Sequence, residues 1–277
     1  MPHKICFFIS VILTAATIGR ADTTRLDDGY RHLYNLEFSE AHRSFQEWER
    51  QKPADPVGPV SDAAAYLFAE FDRLHILQSE FFTHDQHFIT DHKLLPDPEL
   101  KRQFLAALDS SRALAARAPS GDANALFATV LAYGLESDYL ALIEKRYSAS
   151  FQKMKIARSS AERLLASDPN CYDAWIAVGV ENYMLSVKPA PVRWLLRIGG
   201  GQTDRALGIE KLKLTAEKGH YLAPFARMML AVAALRDNNA GQAKTILRQL
   251  AKEYPRNPLY LQEIARLEPL AFRSNPQ

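Results

Sequence analysis

One spacing constrains this chain more than any other feature. In the stretch QAKTILRQLAKEYPRNP, Ala243 is followed by Leu247, Leu250 and Pro255. On an α-helix, residues three and four places apart share a face. A small residue on that face lets a second helix approach closely, and the larger apolar residues bury against it. The Pro ends the helix, because it lacks an N–H and its ring clashes with the preceding turn. The same order recurs as Ala41, Phe45, Trp48 and Pro53, and again as Ala157, Ala161, Leu164 and Pro169. Recurrence of this kind predicts helix pairs that cannot bury their apolar faces alone and therefore stack side by side.

The rest of the composition agrees. Ala and Leu are abundant, Gly and Pro are sparse, and alternating strand patterns are hard to find, so the expected class is all-α. The 277 residues carry 34 basic against 32 acidic side chains, and this balance gives no argument for nucleic acid as a partner. The first residues read as a secretory signal. Lys4 supplies the positive start, residues 5–18 are an apolar core too short to span a bilayer, and Gly19 and Ala21 are the small residues of a cleavage site. Cleavage is expected after Ala21, with a periplasmic or secreted destination. Cys6 would leave with the signal, and Cys171 alone cannot form an internal disulfide, so it reads as a small packed hydrophobe.

The mature chain, residues 22–277, is expected to be a single helical-repeat domain. Residues 22–59 hold the first repeat and a Pro-rich linker that argues against a continued helix. Residues 60–170 hold stretched helix pairs. Residues 171–277 hold C-terminal repeats with an insertion at 188–201. After the linker, Ser61 or Asp62 is expected to cap a helix from Ala63 to about Phe82, and Asp122 one from Ala123 to about Arg146. Gly219 is the expected left-handed stop of the helix that follows the insertion.

These features resemble the tetratricopeptide-repeat proteins, which implies a helical solenoid with degenerate, stretched N-terminal units. From Asn182 onward the chain is similar to one branch, the inclusion-body-clearance family, also called the tetratricopeptide-repeat protein 39 family. The residues that carry this are Tyr183-Met184-Leu185-Ser186, the apolar residues 189–198, the run GGGQTDR at 199–205, then Gly208, Leu212, Ala216, Gly219 and Leu222-Ala223-Pro224. The secretory signal departs from the eukaryotic members of that branch. The resemblance implies an interaction or handling role and no defined enzyme activity.

The default binding surface of a solenoid is its inner face. Alignment of the repeats puts Leu126, Val130, Tyr133, Ile176, Val180, Tyr183, Phe225, Met228 and Val232 on it. That face is apolar, and it suits an amphipathic helix or a lipid-like ligand. The insertion, with Trp194, Leu195 and Arg197 between Val192 and Ile198, is either a cap on the solenoid or a segment that touches a membrane surface. Half of the eight His residues fall in residues 75–92, where His84, His87 and His92 offer a candidate metal site beside the alternative of a His-rich connector. The triple Gly at 199–201 precedes a helix but lacks the Lys and Ser or Thr of a phosphate-binding loop, and reads as a turn. Carboxylate pairs are conceivable at Glu136 with Asp138 and at Glu181 with Asp173, yet no nucleophile elbow and no zinc-protease His pair is present.

The expected function is therefore non-catalytic and without a cofactor: an exported scaffold that binds a protein or an apolar peptide segment on its concave face. The alternatives are a carrier for a hydrophobic small molecule in an enclosed helical cavity, and a metal-binding protein or enzyme centred on the His-rich stretch. An open or an enclosed inner face discriminates the first two.

Overall fold

The computed structural model describes residues 24–77 and 94–271. The described residues are all-helical: α1 (Arg25–Tyr34), α2 (Phe38–Gln51), α3 (Val57–Arg73), α4 (Pro98–Arg117), α5 (Ala123–Leu142), α6 (Tyr147–Ser167), α7 (Trp175–Ser186), α8 (Ala190–Ile198), α9 (Arg205–Lys218), α10 (Ala223–Arg236), α11 (Ala240–Glu253) and α12 (Pro258–Ala271). The expected signal segment lies outside the described residues.

Local chemistry places most helix starts. Thr24 and Asp27 form a reciprocal capping box on α1, with Thr24 N–H donating to Asp27 Oδ2 at 2.7 Å and Asp27 N–H to Thr24 Oγ1 at 3.2 Å. Asp97, Asp122, Asp204 and Asn239 cap α4, α5, α9 and α11 by accepting N–H bonds from the first turn. Two of the tight turns depend on a left-handed residue, Leu36 (φ 61°) before α2 and Asn238 (φ 56°) before α11. Each stands just ahead of a helix with the repeated small-residue spacing.

Four boundaries differ from the sequence expectation. The Pro-rich stretch does not wholly exclude helix: α3 already begins at Val57 and takes Pro59 into its first turn, where a missing N–H costs nothing. Asp55 Oδ1 accepts the Val57 N–H, so Asp55 supports that start, while Ser61 Oγ bonds back to Val57 O inside the helix. α3 ends at Arg73, and His75 beyond it is left-handed (φ 58°). α5 ends at Leu142 and not near Arg146, because Lys145 turns the chain with φ 58°. The insertion is itself helical, as α8. Gly219 is extended (φ −64°), so its use is not a left-handed stop; a Cβ there would stand 2.5 Å from Asp173 Oδ1 and 2.6 Å from Thr215 O.

Neighbouring helices pack in sequence: α1 on α2, α3 on α4, α5 on α6, α7 on α9, α10 on α11, and α11 on α12. The pivotal small residues are used as expected, with Ala41, Ala157 and Ala243 all buried. Gly29 faces the Phe45 ring so closely that a Cβ would lie 2.2 Å from it. The stretch Ala123–Ile143 is long and apolar enough to cross a membrane, but more than half of it is buried, with α5 packed against α3, α4 and α6.

The two ends of the described chain meet. Tyr34 Oη donates to Tyr221 O at 2.9 Å, and Asn257 Nδ2 donates to Tyr34 O at 3.0 Å. Arg256 N–H donates to Asn35 Oδ1 at 3.0 Å, and the Arg256 guanidinium pairs with Glu37. The Tyr30 and Tyr221 rings stack at 4.7 Å, and Phe68 meets Phe225 edge-on at 6.2 Å. The first helices therefore lie against the last ones, with a cavity between them that opens to solvent.

Candidate functional site: an apolar cavity with an unpaired carboxyl

Between the early and late helices lies a cavity of about 750 Å³, continued by a side chamber of about 100 Å³. Leu33 and Tyr34 of α1 with Phe68 and Phe71 of α3 make one wall. Phe151 and Met154 of α6 with Val180 and Met184 of α7 make the second. Phe225, Met228, Val232 and Leu235 of α10 make the third, and Leu259 and Tyr260 of α12 close the end. From α8, Val192 and Leu196 reach the cavity, one turn apart on the same face. The lining residues most open to solvent are Tyr147, Val192 and Gln262, so the mouth lies between the start of α6, the lid helix α8 and α12.

Of the nine inner-face residues read from the sequence, Val180, Phe225, Met228 and Val232 line the main cavity, and Val130 and Ile176 line the side chamber. The other three do not reach it. Leu126 is packed in the core. Tyr133 lies between the Arg112 guanidinium (4.8 Å) and the Lys153 ammonium (5.3 Å). Tyr183 is fully buried with Gly208 pressed on its backbone, where a Cβ would stand 2.6 Å from Tyr183 N. The reason is phase: on α7 the cavity face runs Ile176, Val180, Met184 at intervals of four, and Tyr183 is one residue off it. On α5 the matching face runs Val130, Gly134, Asp138.

The insertion turns two faces in different directions. Trp194 (63 % exposed), Leu195 (62 %) and Ile198 (66 %) face outward, and the lid contacts are Val192 and Leu196. Arg197 Nε donates to Thr203 Oγ1 at 2.6 Å, and Arg193 Nη1 donates to Lys188 O at 2.9 Å, which ties α8 to its flanks. The glycine turn is bound to α7: Gln202 N–H donates to Glu181 Oε1 and Asp204 N–H to Asn182 Oδ1, both at 3.0 Å. A Cβ on Gly201 would lie 2.9 Å from the Phe151 ring. His84, His87 and His92 lie outside the described residues; among the described ones no group of three metal-ligating side chains occurs.

Neither imagined carboxylate pair forms. Glu136 is bound by Arg112 and, at 3.0 Å, by Lys153. Glu181 is bound by Arg158 at 2.9 Å, and Asp173 accepts the N–H groups of Tyr221 and Leu222 at 3.0 Å. Asp138 differs from all of these. It lines both chambers, and no hydrogen bond or ion pair to it is present among the described residues. Burial alone lifts its carboxyl to about 7, as expected for an acid removed from water with no cation nearby. Sequence reading grouped it with Glu136 because the two are close in number; a spacing of two on a helix puts them on different sides. The i, i+4 run from Val130 through Gly134 was the signal that would have found it.

No protein-family model, no curated protein and no solved structure matches this chain.

Proposed function

We propose that this chain is an exported carrier that encloses a hydrophobic small molecule or lipid-like ligand. One observation carries the reading: the inner face is a walled apolar cavity of about 750 Å³, within the range of about 300–1,000 Å³ usual for small-molecule sites. A groove for a protein segment would lie open along its length, whereas here α1 and α3 lie against the late helices over part of it, and the exposed lining residues Tyr147, Val192 and Gln262 mark a mouth near α8 and α12. The finer architecture that we infer is a tetratricopeptide-like superhelix whose first pair folds back onto its last. Sequential packing of neighbouring helices and the recurrent buried Ala support it. The ligand would enter beside α8, whose outward Trp194, Leu195 and Ile198 favour contact with a membrane surface during loading. The same outward face favours the second reading, an apolar segment of a partner protein held on α8.

Native mass spectrometry of the purified protein and of a delipidated sample tests the carrier. The expected result is a co-purified apolar mass and restored uptake of an environment-sensitive dye after delipidation. Val232→Trp, or Val180→Trp if the first does not fold, should fill the cavity and suppress uptake with the helical circular dichroism retained. Undiminished uptake by a folded filled variant overturns the reading. Export is tested on the mature chain, which should begin at Asp22.

A further inference from the structure

We infer that the cavity selects a chain-like ligand whose buried end donates a hydrogen bond to Asp138, and rejects one that ends in a carboxylate. This rests on the carrier reading and names the chemistry of its ligand. The argument begins with donors. Along the cavity, Tyr34 Oη is spent on Tyr221 O, Asn257 Nδ2 on Tyr34 O, and Tyr260 Oη on Met228 Sδ. Ser137 and Ser150 bond to one another at 3.0 Å, and the Arg266 guanidinium is held by Glu263. None of these turns to Asp138, although it stands among them. Asp138 is half-buried, with its carboxyl open to the cavity and not sealed in the core, and a carboxyl without a protein partner among mainly apolar walls is held at a cost. A leucine would suit the same wall better, so the carboxyl is a polar point reserved for something that arrives. Ala141, Met154 and Val180 line the same space without a polar group, Ser137 beside Asp138 is bonded to Ser150, and the remaining wall is mainly apolar, with Lys188, Gln262, Glu263 and Arg266 as its other polar side chains. A hydroxyl or an ammonium group supplies the missing proton. A carboxylate meets like charge in a medium of low dielectric, where repulsion is strong.

Isothermal titration of the delipidated full chain with dodecanol, dodecylamine and dodecanoate at pH 8 tests this. The wild type should bind the alcohol and the amine about tenfold or more tighter than the carboxylate, the scale of one charge-assisted hydrogen bond. Asp138→Leu should bind dodecanoate as well as it binds dodecanol, and Asp138→Asn should keep the alcohol while losing any extra affinity for the amine. The leucine variant removes a half-buried carboxyl that no protein group binds, so it is expected to fold, and its melting curve checks that. Equal binding of all three by the wild type, or an unchanged order in Asp138→Leu, overturns the inference and leaves the carrier standing. Binding of none of the three overturns both.

Discussion

The two sides of α7 follow opposite rules. Away from the cavity the helix presents Gly179 and Tyr183 to α9, Glu181 to α6 and Asn182 to the glycine turn, and every one is buried. Gly179 and Gly208 admit no Cβ without displacing a neighbour, and the buried Glu181 is bound by Arg158 and by a backbone N–H. Toward the cavity the same helix presents Val180 and Met184, which touch empty space, and across that space stands Asp138 with no partner. Close packing with the buried carboxylate and amide both bonded marks a surface built for stability, even though the Tyr183 hydroxyl there has no hydrogen-bond partner. Loose packing with an unsatisfied acceptor marks one that sacrifices stability for a ligand.

Four substitutions sharpen or break that contrast. The largest effect belongs to Glu181→Ala, which leaves the Gln202 N–H without its acceptor and Arg158 with only the exposed Glu162 and Gly200 O as partners; it should destabilise by about 3 kcal/mol in urea unfolding. A loss under 1 kcal/mol would mean that the tight side is no better satisfied than the cavity side. Gly208→Ala comes next, at about 1–3 kcal/mol, because its methyl meets the Tyr183 backbone, which cannot swing away as a side chain could. Thermal denaturation that is unaltered by this change would show that the crossing has slack.

Asp138 should respond with the opposite sign. Its carboxyl titrates near 7 in the fold and near 3.8 in the unfolded chain, so between those values the folded state holds a proton that the unfolded state has lost. Stability from this group therefore falls as pH rises from about 4 to 7 and is level above, by at most about 4 kcal/mol. Other carboxyls, among them Asp27 and Glu253, are held below their ordinary values by partners and tilt the curve the other way. The readout is therefore the wild type minus Asp138→Leu: the variant should be the more stable at pH 8, and the gap should close toward pH 4. A gap independent of pH would show that Asp138 is paired after all. The smallest effect on stability is expected on α8. Trp194→Ser with Leu195→Ser should leave the melting temperature within the scatter of surface changes, about 0.5 kcal/mol, because both side chains are mostly exposed. The same pair should abolish co-sedimentation with lipid vesicles, and retention of binding would remove the membrane from the loading step.

What could be read in advance was local. The spacings around Ala41, Ala157 and Ala243 placed three helices and their buried faces, and Asp122 placed the start of α5. These succeed because a helix face and a cap are set within about one turn of chain. Small errors of phase were costly, however. Tyr183 was chosen where Met184 lines the cavity, since a one-residue slip on a helix turns a side chain through about 100 degrees. Pro59 looked like a breaker, and only the position of the first turn made it harmless.

The amino-acid order by itself determined that this protein is helical, where most of its helices begin and cross, and that its inner surface is apolar. Those properties follow from hydrogen bonds and side-chain periodicity among near neighbours. Whether that surface is a groove or a chamber was decided only in three dimensions, by Tyr34 reaching Tyr221 and Tyr30 stacking on the same residue, nearly two hundred positions away. The same closure left Asp138 facing a void instead of a partner. No short stretch encodes such contacts, because each depends on the summed angles of every helix pair between the two ends.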